Sequence, residues 1–268
     1  MSTSKITSAT ATHAALPEPP LPGTAGRPWA LLLDVDGTLL EFADDPAAVF
    51  VDPALHDLLR TLHRALGGAL ALVSGRQLAD IDRLFGEPGW VAVGLHGLQR
   101  RDADGDVRAQ DINPAQRSQL QRAVRKLAAR HPAVRVEDKG AAIALHCRQV
   151  PALWPTLQVE CLALLPTLPG YELQPGNLVL EFKPAGSDKG QAVRNLLATP
   201  WGAGRMPVYL GDDLTDEHAF AVVNASAGIS VRVGMRTPTL AHFTLSGPRA
   251  AHAWLHRVLA TLTQEPKA

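Results

Sequence analysis

The sequence is poor in cysteine and has no excess of either charge, and each shortage excludes a class of protein. Two of the 268 residues are cysteines, which excludes a disulfide framework and fits a reducing compartment. The 26 basic and 26 acidic side chains cancel, so the net charge does not favour nucleic acid or an anionic membrane as a partner. We therefore expect a cytoplasmic protein with neither partner, and we expect a monomer.

Long apolar runs are also missing. No run approaches the ~18 residues of a membrane-spanning helix, and Lys5 near the N-terminus is not followed by the apolar core of a secretory signal. Residues 1–28 are rich in Ser, Thr, Ala, Pro and Gly and show no periodicity. Such a composition buries too little apolar surface to offset the entropy of ordering, so we expect a disordered tail there.

The rest of the chain alternates short apolar runs with amphipathic segments. Strands are predicted at 29–33, 69–73, 90–93, 207–210 and 228–233, and helices at 52–66, 76–85, 188–198, 214–223 and 248–263. This alternation is typical of a parallel sheet covered by helices on both faces. We therefore predict an α/β fold.

Between residues 110 and 185 the pattern changes to helix, hairpin, helix, hairpin. The two helices are predicted over 113–130 and 152–165, and the hairpins turn at Lys139-Gly140 and Pro175-Gly176. This order suits a small α+β domain inserted into the sheet domain. The predicted units are the tail at 1–28, the sheet domain at 29–109 and 186–268, and the inserted domain at 110–185.

Two carboxylates, Asp34 and Asp36, follow the first predicted strand in "DVDGT". Ligands of an open parallel sheet bind beyond the carboxyl ends of its strands. Two carboxylates this close repel each other unless a cation lies between them, and oxygen ligands suit Mg²⁺. A carboxylate can also act as a nucleophile. Taken alone, the motif is explained equally well by an Asx-type turn that closes a strand.

Three more polar motifs follow in order. "SGR" places Ser74 after the second strand, "SDKG" places Lys189 at a helix start, and "GDDLTDE" places Asp212 and Asp213 after a later strand. Each has an ordinary explanation by itself: a helix N-cap, a surface lysine, or acidic residues at a helix start. The four motifs in this order predict a phosphate and metal site at one edge of the sheet.

With these motifs the sequence resembles the haloacid-dehalogenase-like phosphatases and, more closely, the trehalose-6-phosphate phosphatases. The closer resemblance lies in "GLHG" (94–97), "EDKGAAIALHCR" (137–148), "LEFKPAGSDKG" (180–190) and "GDDLTDEHAF" (211–220). It covers about 29–245 and implies a Rossmann-like core domain with an inserted α+β cap domain. Cys147 replaces the family's common tyrosine, and strand alternation points this position away from its neighbours, so we expect little effect on chemistry.

The resemblance implies a Mg²⁺-dependent phosphatase that hydrolyses trehalose 6-phosphate, in the last step of trehalose biosynthesis, through an aspartyl-phosphate. Asp34 is then the nucleophile, and Asp36 protonates the leaving sugar oxygen and later activates water. Ser74 holds a phosphoryl oxygen and Lys189 neutralises charge. The residues implied to hold the metal are Asp34, Asp36 through its main-chain carbonyl, Asp212 and Asp213, with Asp216 as a support.

Specificity is implied to come from the cap, which closes about linkers near 106–113 and 184–188. The residues implied to bind substrate are Gly75, Arg76, His96, Glu137, Lys139, His146, Arg148, Glu181 and Lys183. From the residues alone, Glu137 and Lys139 are nearly as well explained as an exposed turn pair. His96 is equally well explained as a buried histidine or a domain-interface contact. The tryptophans are scattered and suggest packing.

Other functions stay open at this point. A related phosphatase acting on sucrose or mannosylglycerate phosphates would differ mainly in the inserted domain. A non-catalytic phosphosugar-binding module would tolerate the loss of Asp34 or Asp36, and both are present. A phospho-acceptor receiver domain shares an aspartate at a strand end but is a single small domain without an insertion.

Overall fold

The computed structural model describes residues 16–23, 26–41, 49–176 and 178–264. In chain order the elements are β1 (Trp29–Asp34), α1 (Pro53–Ala65), β2 (Leu70–Val73), α2 (Leu78–Phe85), β3 (Val91–Gly94), β4 (Gln99–Arg101), β5 (Val107–Ala109), α3 (Pro114–Ala128), β6 (Arg135–Asp138), β7 (Ile143–His146), α4 (Trp154–Leu164), β8 (Tyr171–Gly176), β9 (Val179–Pro184), α5 (Lys189–Leu197), β10 (Met206–Gly211), α6 (Leu214–Ala225), β11 (Ile229–Val233), β12 (Phe243–Leu245) and α7 (Pro248–Thr263). Within these described ranges, no helix is long and apolar enough to cross a membrane.

The larger sheet has eight strands in the order β12-β11-β10-β1-β2-β3-β4-β5. The strands from β12 to β3 are parallel, whereas β4 and β5 are antiparallel. The parallel part confirms the predicted α/β fold. The edge hairpin β4–β5 was not predicted because its segments, "QRR" and "VRA", are short and lack an apolar pattern.

Both faces of the larger sheet are covered. Leu31 and Leu33 of β1 pack in one hydrophobic cluster with α1, α2 and α7, and Leu32 packs in another with α5 and α6. Successive strand residues point to opposite faces, so a strand buried on both sides is apolar throughout. The predicted start of α1 is confirmed, because the Asp52 side chain accepts a hydrogen bond from the N–H of Ala54 at 2.8 Å.

The smaller sheet has four antiparallel strands in the order β6-β7-β9-β8. Helices α3 and α4 cover one face through apolar residues such as Leu120 and Leu157. Cys147 is buried in the same cluster, whereas its neighbour His146 lies on the cleft side. These elements lie within the predicted segment 110–185, and we call them the four-stranded unit. Its independence as a domain stays a prediction.

Residues 16–23 differ from the predicted disordered tail. The carbonyl of Pro17 accepts from the N–H of Thr244 at 2.9 Å, and that of Pro19 accepts from the indole N–H of Trp254 at 3.1 Å. This segment therefore packs on β12 and α7. A proline-rich segment has little conformational entropy to lose, and its carbonyls can bond without apolar side chains. Residues 1–15 and 24–25 of the predicted tail lie outside the described residues.

Candidate active site

The turn after β1 brings Asp34 and Asp36 to the carboxyl edge of the sheet. The N–H of Leu39 donates to the carbonyl of Val35 at 2.9 Å, and the N–H of Gly37 donates to the carbonyl of Leu40 at 2.7 Å. Gly37 has φ +85°, which a residue with a Cβ adopts only with strain. Because the turn closes directly on the strand, both carboxylates line the same cleft.

A buried lysine lies between two buried carboxylates at this edge. Lys189, at the start of α5, donates to Asp34 Oδ1 at 2.6 Å and to Asp216 Oδ1 at 2.7 Å. All three side chains are almost fully buried. A buried cation is tolerated only when opposite charges surround it, and the two carboxylates raise the pKa of Lys189 although burial alone would lower it.

Asp216 has both carboxylate oxygens occupied by hydrogen bonds. Besides Lys189, Oδ1 accepts from the hydroxyl of Tyr209 at 2.6 Å. Oδ2 accepts from the main-chain N–H groups of Asp212 at 3.1 Å and Asp213 at 3.0 Å. Asp216 therefore holds the loop after β10 in place and positions Lys189.

The carboxylates at this edge fit a divalent cation. One oxygen from each of Asp34, Asp212 and Asp216 lies within 4.8 Å of the others. Asp34 Oδ2 is buried and has no hydrogen-bond partner among the described residues. Burial raises the pKa of Asp34 to about 7 although Lys189 opposes the shift. Burial and then the charges of Asp34 and Asp216 raise the pKa of Asp212 to about 10. Crowded carboxylate oxygens of this kind suit Mg²⁺.

Asp213 is placed differently from the other acidic residues. It precedes α6, and its Oδ1 accepts from the N–H of Leu214 at 2.7 Å and from Arg236 Nη1 at 3.0 Å. It is not part of the three-carboxylate cluster found among the described residues. In this arrangement Asp213 caps a helix and pairs with an arginine, so the geometry favours Asp34 and Asp212 over Asp213 as metal ligands.

Asp36 is held by Arg76 of the "SGR" motif. The guanidinium donates in a bidentate manner, from Nε to Oδ2 at 2.7 Å and from Nη2 to Oδ1 at 2.6 Å. Burial alone would lower the pKa of Arg76, but the hydrogen bonds to Asp36 raise it. Ser74 Oγ accepts from the N–H of Arg76 at 3.1 Å. Arg76, predicted to bind substrate, therefore also orients the Asp36 carboxylate.

His96 lies against the loop after β2 in a strained backbone conformation. Leu95 and His96 have φ +49° and +54°, values that cost energy for residues with a side chain. A Cβ at Gly75 would lie 2.5 Å from His96 Nε2, so a side chain at this position would force the imidazole to shift. Burial, followed by the charges of Lys189 and two further lysines, lowers the pKa of His96 well below its usual value. The ring is therefore neutral.

The cleft face of the four-stranded unit carries paired charges. Lys139 donates to Glu181 Oε2 at 2.7 Å and to the carbonyl of Gly75 at 3.4 Å. Glu137 Oε2 lies 2.8 Å from His146 Nε2, and this hydrogen bond lowers the pKa of Glu137. Lys139 therefore links the four-stranded unit to the loop beyond β2.

Lys183 is the one predicted substrate residue that does not line the cleft among the described residues. Its ammonium is buried, lies 2.8 Å from Glu172 Oε1 and donates to the carbonyl of Ser187. Ser187 Oγ in turn donates to Gln110 Oε1 at 2.6 Å. Lys183 lies at the end of β9, so its side chain contacts the linker and not the cleft.

The cleft between the two sheets has a volume of about 1250 Å³. It brings together the other predicted residues, which are Asp34, Asp36, Ser74, Gly75, Arg76, His96, Glu137, Lys139, His146, Arg148, Glu181, Lys189, Asp212 and Asp213. Four residues that were not among the predicted ones also line the cleft: Arg135, Trp154, Gln174 and Arg236. Strand alternation could have found Arg135, two residues before Glu137. Trp154 and Arg236 lie at a helix start and in a loop, where no such pattern exists.

Comparison with known proteins gives sequence relatives of this chain. The trehalose-phosphatase family model matches residues 32–249. The chain is 43% identical over 213 residues to a probable trehalose-phosphate phosphatase of Sinorhizobium fredii, covering 78% of this chain and 79% of that protein. It is 36% identical over 237 residues to trehalose-6-phosphate phosphatase of Escherichia coli, covering 88% and 89%.

Solved structures share the fold at lower identity. The C-terminal domain of Candida albicans trehalose-6-phosphate phosphatase has a TM-score of 0.75 at 21% identity, covering 86% of this chain and 92% of that chain. The haloalkanoate-superfamily phosphatase BT1666 of Bacteroides thetaiotaomicron has a TM-score of 0.58 at 19% identity, covering 90% and 97%. These matches confirm the haloacid-dehalogenase-like fold.

Proposed function

The chain belongs to the trehalose-phosphatase family, and on that premise we propose that it is a Mg²⁺-dependent phosphatase that hydrolyses trehalose 6-phosphate to trehalose and phosphate. The observation that carries this proposal is the environment of Asp34. This residue is buried at the carboxyl end of β1, with one oxygen bonded to Lys189 and the other without a partner among the described residues. We further propose that the enzyme acts as a monomer in the cytoplasm.

The proposed reaction has two steps. Asp34 attacks phosphorus, the bond from phosphorus to the sugar oxygen breaks, and Asp36 gives its proton to that oxygen. Trehalose leaves, and the phosphoryl group remains on Asp34. Asp36 then accepts a proton from water, which attacks the same phosphorus and releases phosphate, so that Asp34 is regenerated. The bidentate pair with Arg76 occupies both Asp36 oxygens, so at least one of them must leave the guanidinium before Asp36 can transfer a proton.

The surrounding residues balance charge at this site. Mg²⁺, when bound, supplies positive charge that allows an anionic nucleophile to approach an anionic phosphate. Asp34, Asp212 and the main-chain carbonyl of Asp36 would hold it. Lys189 adds positive charge beside Asp34, and Ser74 holds a phosphoryl oxygen.

We assign substrate selection to the four-stranded unit, acting as the cap. The paired groups Lys139–Glu181 and Glu137–His146 line the cleft. Charged donors and acceptors of this kind can exchange partners with sugar hydroxyls, and a site built in this way rejects ligands that lack those hydroxyls. Arg148 lines the same face.

The test is phosphate release from a panel of sugar phosphates, with Mg²⁺ or with EDTA. We expect a strong preference for trehalose 6-phosphate, loss of activity in EDTA, and a fall of at least about 10³-fold in Asp34→Asn, which keeps the size but not the nucleophile. Asp57→Asn, at an exposed position of α1, is the matched control and should retain activity.

Other outcomes would change specific parts of the proposal. Activity spread evenly over the panel would leave the nucleophile in place and contradict the role of the four-stranded unit in selection. No release from any sugar phosphate, by folded protein with Mg²⁺, would contradict catalysis and favour a binding module.

A further inference from the structure

We propose that Trp154 determines specificity for a disaccharide by packing against the second sugar ring, the one that does not carry the phosphate. This inference rests on the proposed function and deepens it. Trp154 is the first residue of α4 and lines the cleft. Among the described residues that line the cleft, it is the one Trp, Tyr or Phe. The scattered tryptophans suggested packing alone, and for this residue the structure adds an exposed side toward the cleft.

The indole has two different environments. It packs on the hydrophobic cluster of the four-stranded unit, together with Leu153 and Val150. Because it is only half-buried and also lines the cleft, part of its surface remains available to a ligand. The packed side limits its rotation, so an apolar surface is held in position before any ligand binds.

The register of the strands gives the distance from the phosphate site. Glu181 pairs with Ala144, and Val179 pairs with His146. The Glu181 row contacts the loop after β2, in which Ser74 is proposed to hold the phosphoryl group, because Lys139 bridges Glu181 and the carbonyl of Gly75. The His146 row is two residues, about 6.6 Å, further along the strands. This separation is comparable to the step from one sugar ring to the next.

The residues that come after His146 in the chain are suited to the second ring. Arg148 follows the end of β7, Trp154 begins the next helix, α4, and both line the cleft together with His146. A pyranose ring has polar hydroxyls at its edge and apolar C–H groups on its faces. An aromatic surface beside polar side chains matches both features, which is the usual composition of a small-molecule site. A monosaccharide phosphate would fill the first position and leave Trp154 without a contact.

The test compares trehalose 6-phosphate with glucose 6-phosphate, the latter measured as substrate or as competitive inhibitor. In Trp154→Ala we expect KM for trehalose 6-phosphate to rise about tenfold. We expect kcat for trehalose 6-phosphate, and KM or the inhibition constant for glucose 6-phosphate, to change less than about threefold. Trp154→Phe keeps an aromatic surface and should restore most of the affinity. Leu153→Ala is the matched control, because Leu153 packs on the same cluster but is outside the described cleft lining.

Three results would overturn the inference: an unchanged KM in Trp154→Ala, equal losses for both sugar phosphates, or the same loss in Leu153→Ala. The last two would assign Trp154 to the stability of the four-stranded unit. Failure of the proposed function is a separate result, because it is measured on the wild type as an absence of preference for trehalose 6-phosphate.

Discussion

The two sheets contribute to one cleft by different geometric rules. In the eight-stranded sheet, Asp34 ends its strand and Ser74 and Asp212 directly follow theirs, and these strands, β1, β2 and β10, are neighbours. In the four-stranded unit, polar residues such as Glu137, His146 and Glu181 lie within strands and line the cleft from one face of the sheet. Strand ends converge on a point, whereas a strand face spreads its side chains over an area.

The same difference appears in the charges. Near the strand ends, among the residues that the structure describes, three carboxylates, Asp34, Asp212 and Asp216, lie around a single lysine that contacts Asp34 and Asp216. On the strand face, charges are paired, as in Lys139–Glu181. Crowded like charges call for a cation and are suited to chemistry, whereas paired charges are suited to recognition. The two regions should therefore respond differently to mutation, the first in kcat and the second in KM.

The largest effect should come from Lys189→Met, which removes the ammonium between Asp34 and Asp216. We expect kcat to fall by at least about 10³-fold, since the site loses the charge beside its nucleophile. The free energy of unfolding should fall by about 3–5 kcal/mol, because two buried carboxylates lose their partner. Phosphate release and urea unfolding measure the two effects. Lys126→Met, at an exposed position of α3, is the control; a tenth of wild-type activity remaining in Lys189→Met would contradict the assignment.

A smaller effect should separate two lysines that were both predicted to bind substrate. Lys139→Met should raise KM for trehalose 6-phosphate about tenfold or more, because Lys139 lines the cleft. Lys183→Met should leave KM within about twofold and lower the free energy of unfolding by about 1–3 kcal/mol, because Lys183 bonds Glu172 and the linker carbonyl of Ser187. Initial rates and thermal unfolding measure the pair. Equal rises in KM would place Lys183 among the substrate contacts.

The smallest effect is expected in the free energy of unfolding of Asp212→Asn, measured in EDTA. The pKa of Asp212 is raised from an unfolded value of about 3.9 to about 10 in the folded protein. The folded state therefore binds the proton more tightly, and the wild type loses stability as pH rises between these values. Asn at this position does not titrate, so Asp212→Asn should match the wild type near pH 4 and become more stable than the wild type as pH rises to 8.

At pH 8, Mg²⁺ should make the wild type more stable than Asp212→Asn, because a cation that binds the folded wild type stabilises it by mass action. Urea unfolding of both proteins across this pH range, in EDTA and in Mg²⁺, measures the effect. A stability difference that does not change with pH would contradict the raised pKa of Asp212, and one that Mg²⁺ leaves unaltered would contradict its role as a metal ligand.

Much of the fold could be predicted from the sequence, and the reasons are local. The buried parallel strands are apolar throughout, and the helices show apolar faces with caps such as Asp52. The strands β4 and β5 could not be predicted, since each has three residues and little apolar character. The packing of residues 16–23 could not be predicted either, because it depends on main-chain carbonyls bonding to Thr244 and Trp254, which are distant in the chain.

The sequence by itself determined which residues stand at strand ends, because a motif such as "DVDGT" follows its strand without a gap. Only the tertiary structure determined which contacts the residues of the site make. It paired Arg76 with Asp36 and Arg236 with Asp213, placed Lys183 beside Glu172 and brought Trp154 to the cleft. These outcomes depend on contacts between residues that are distant in the chain, and no local sequence pattern contains such contacts.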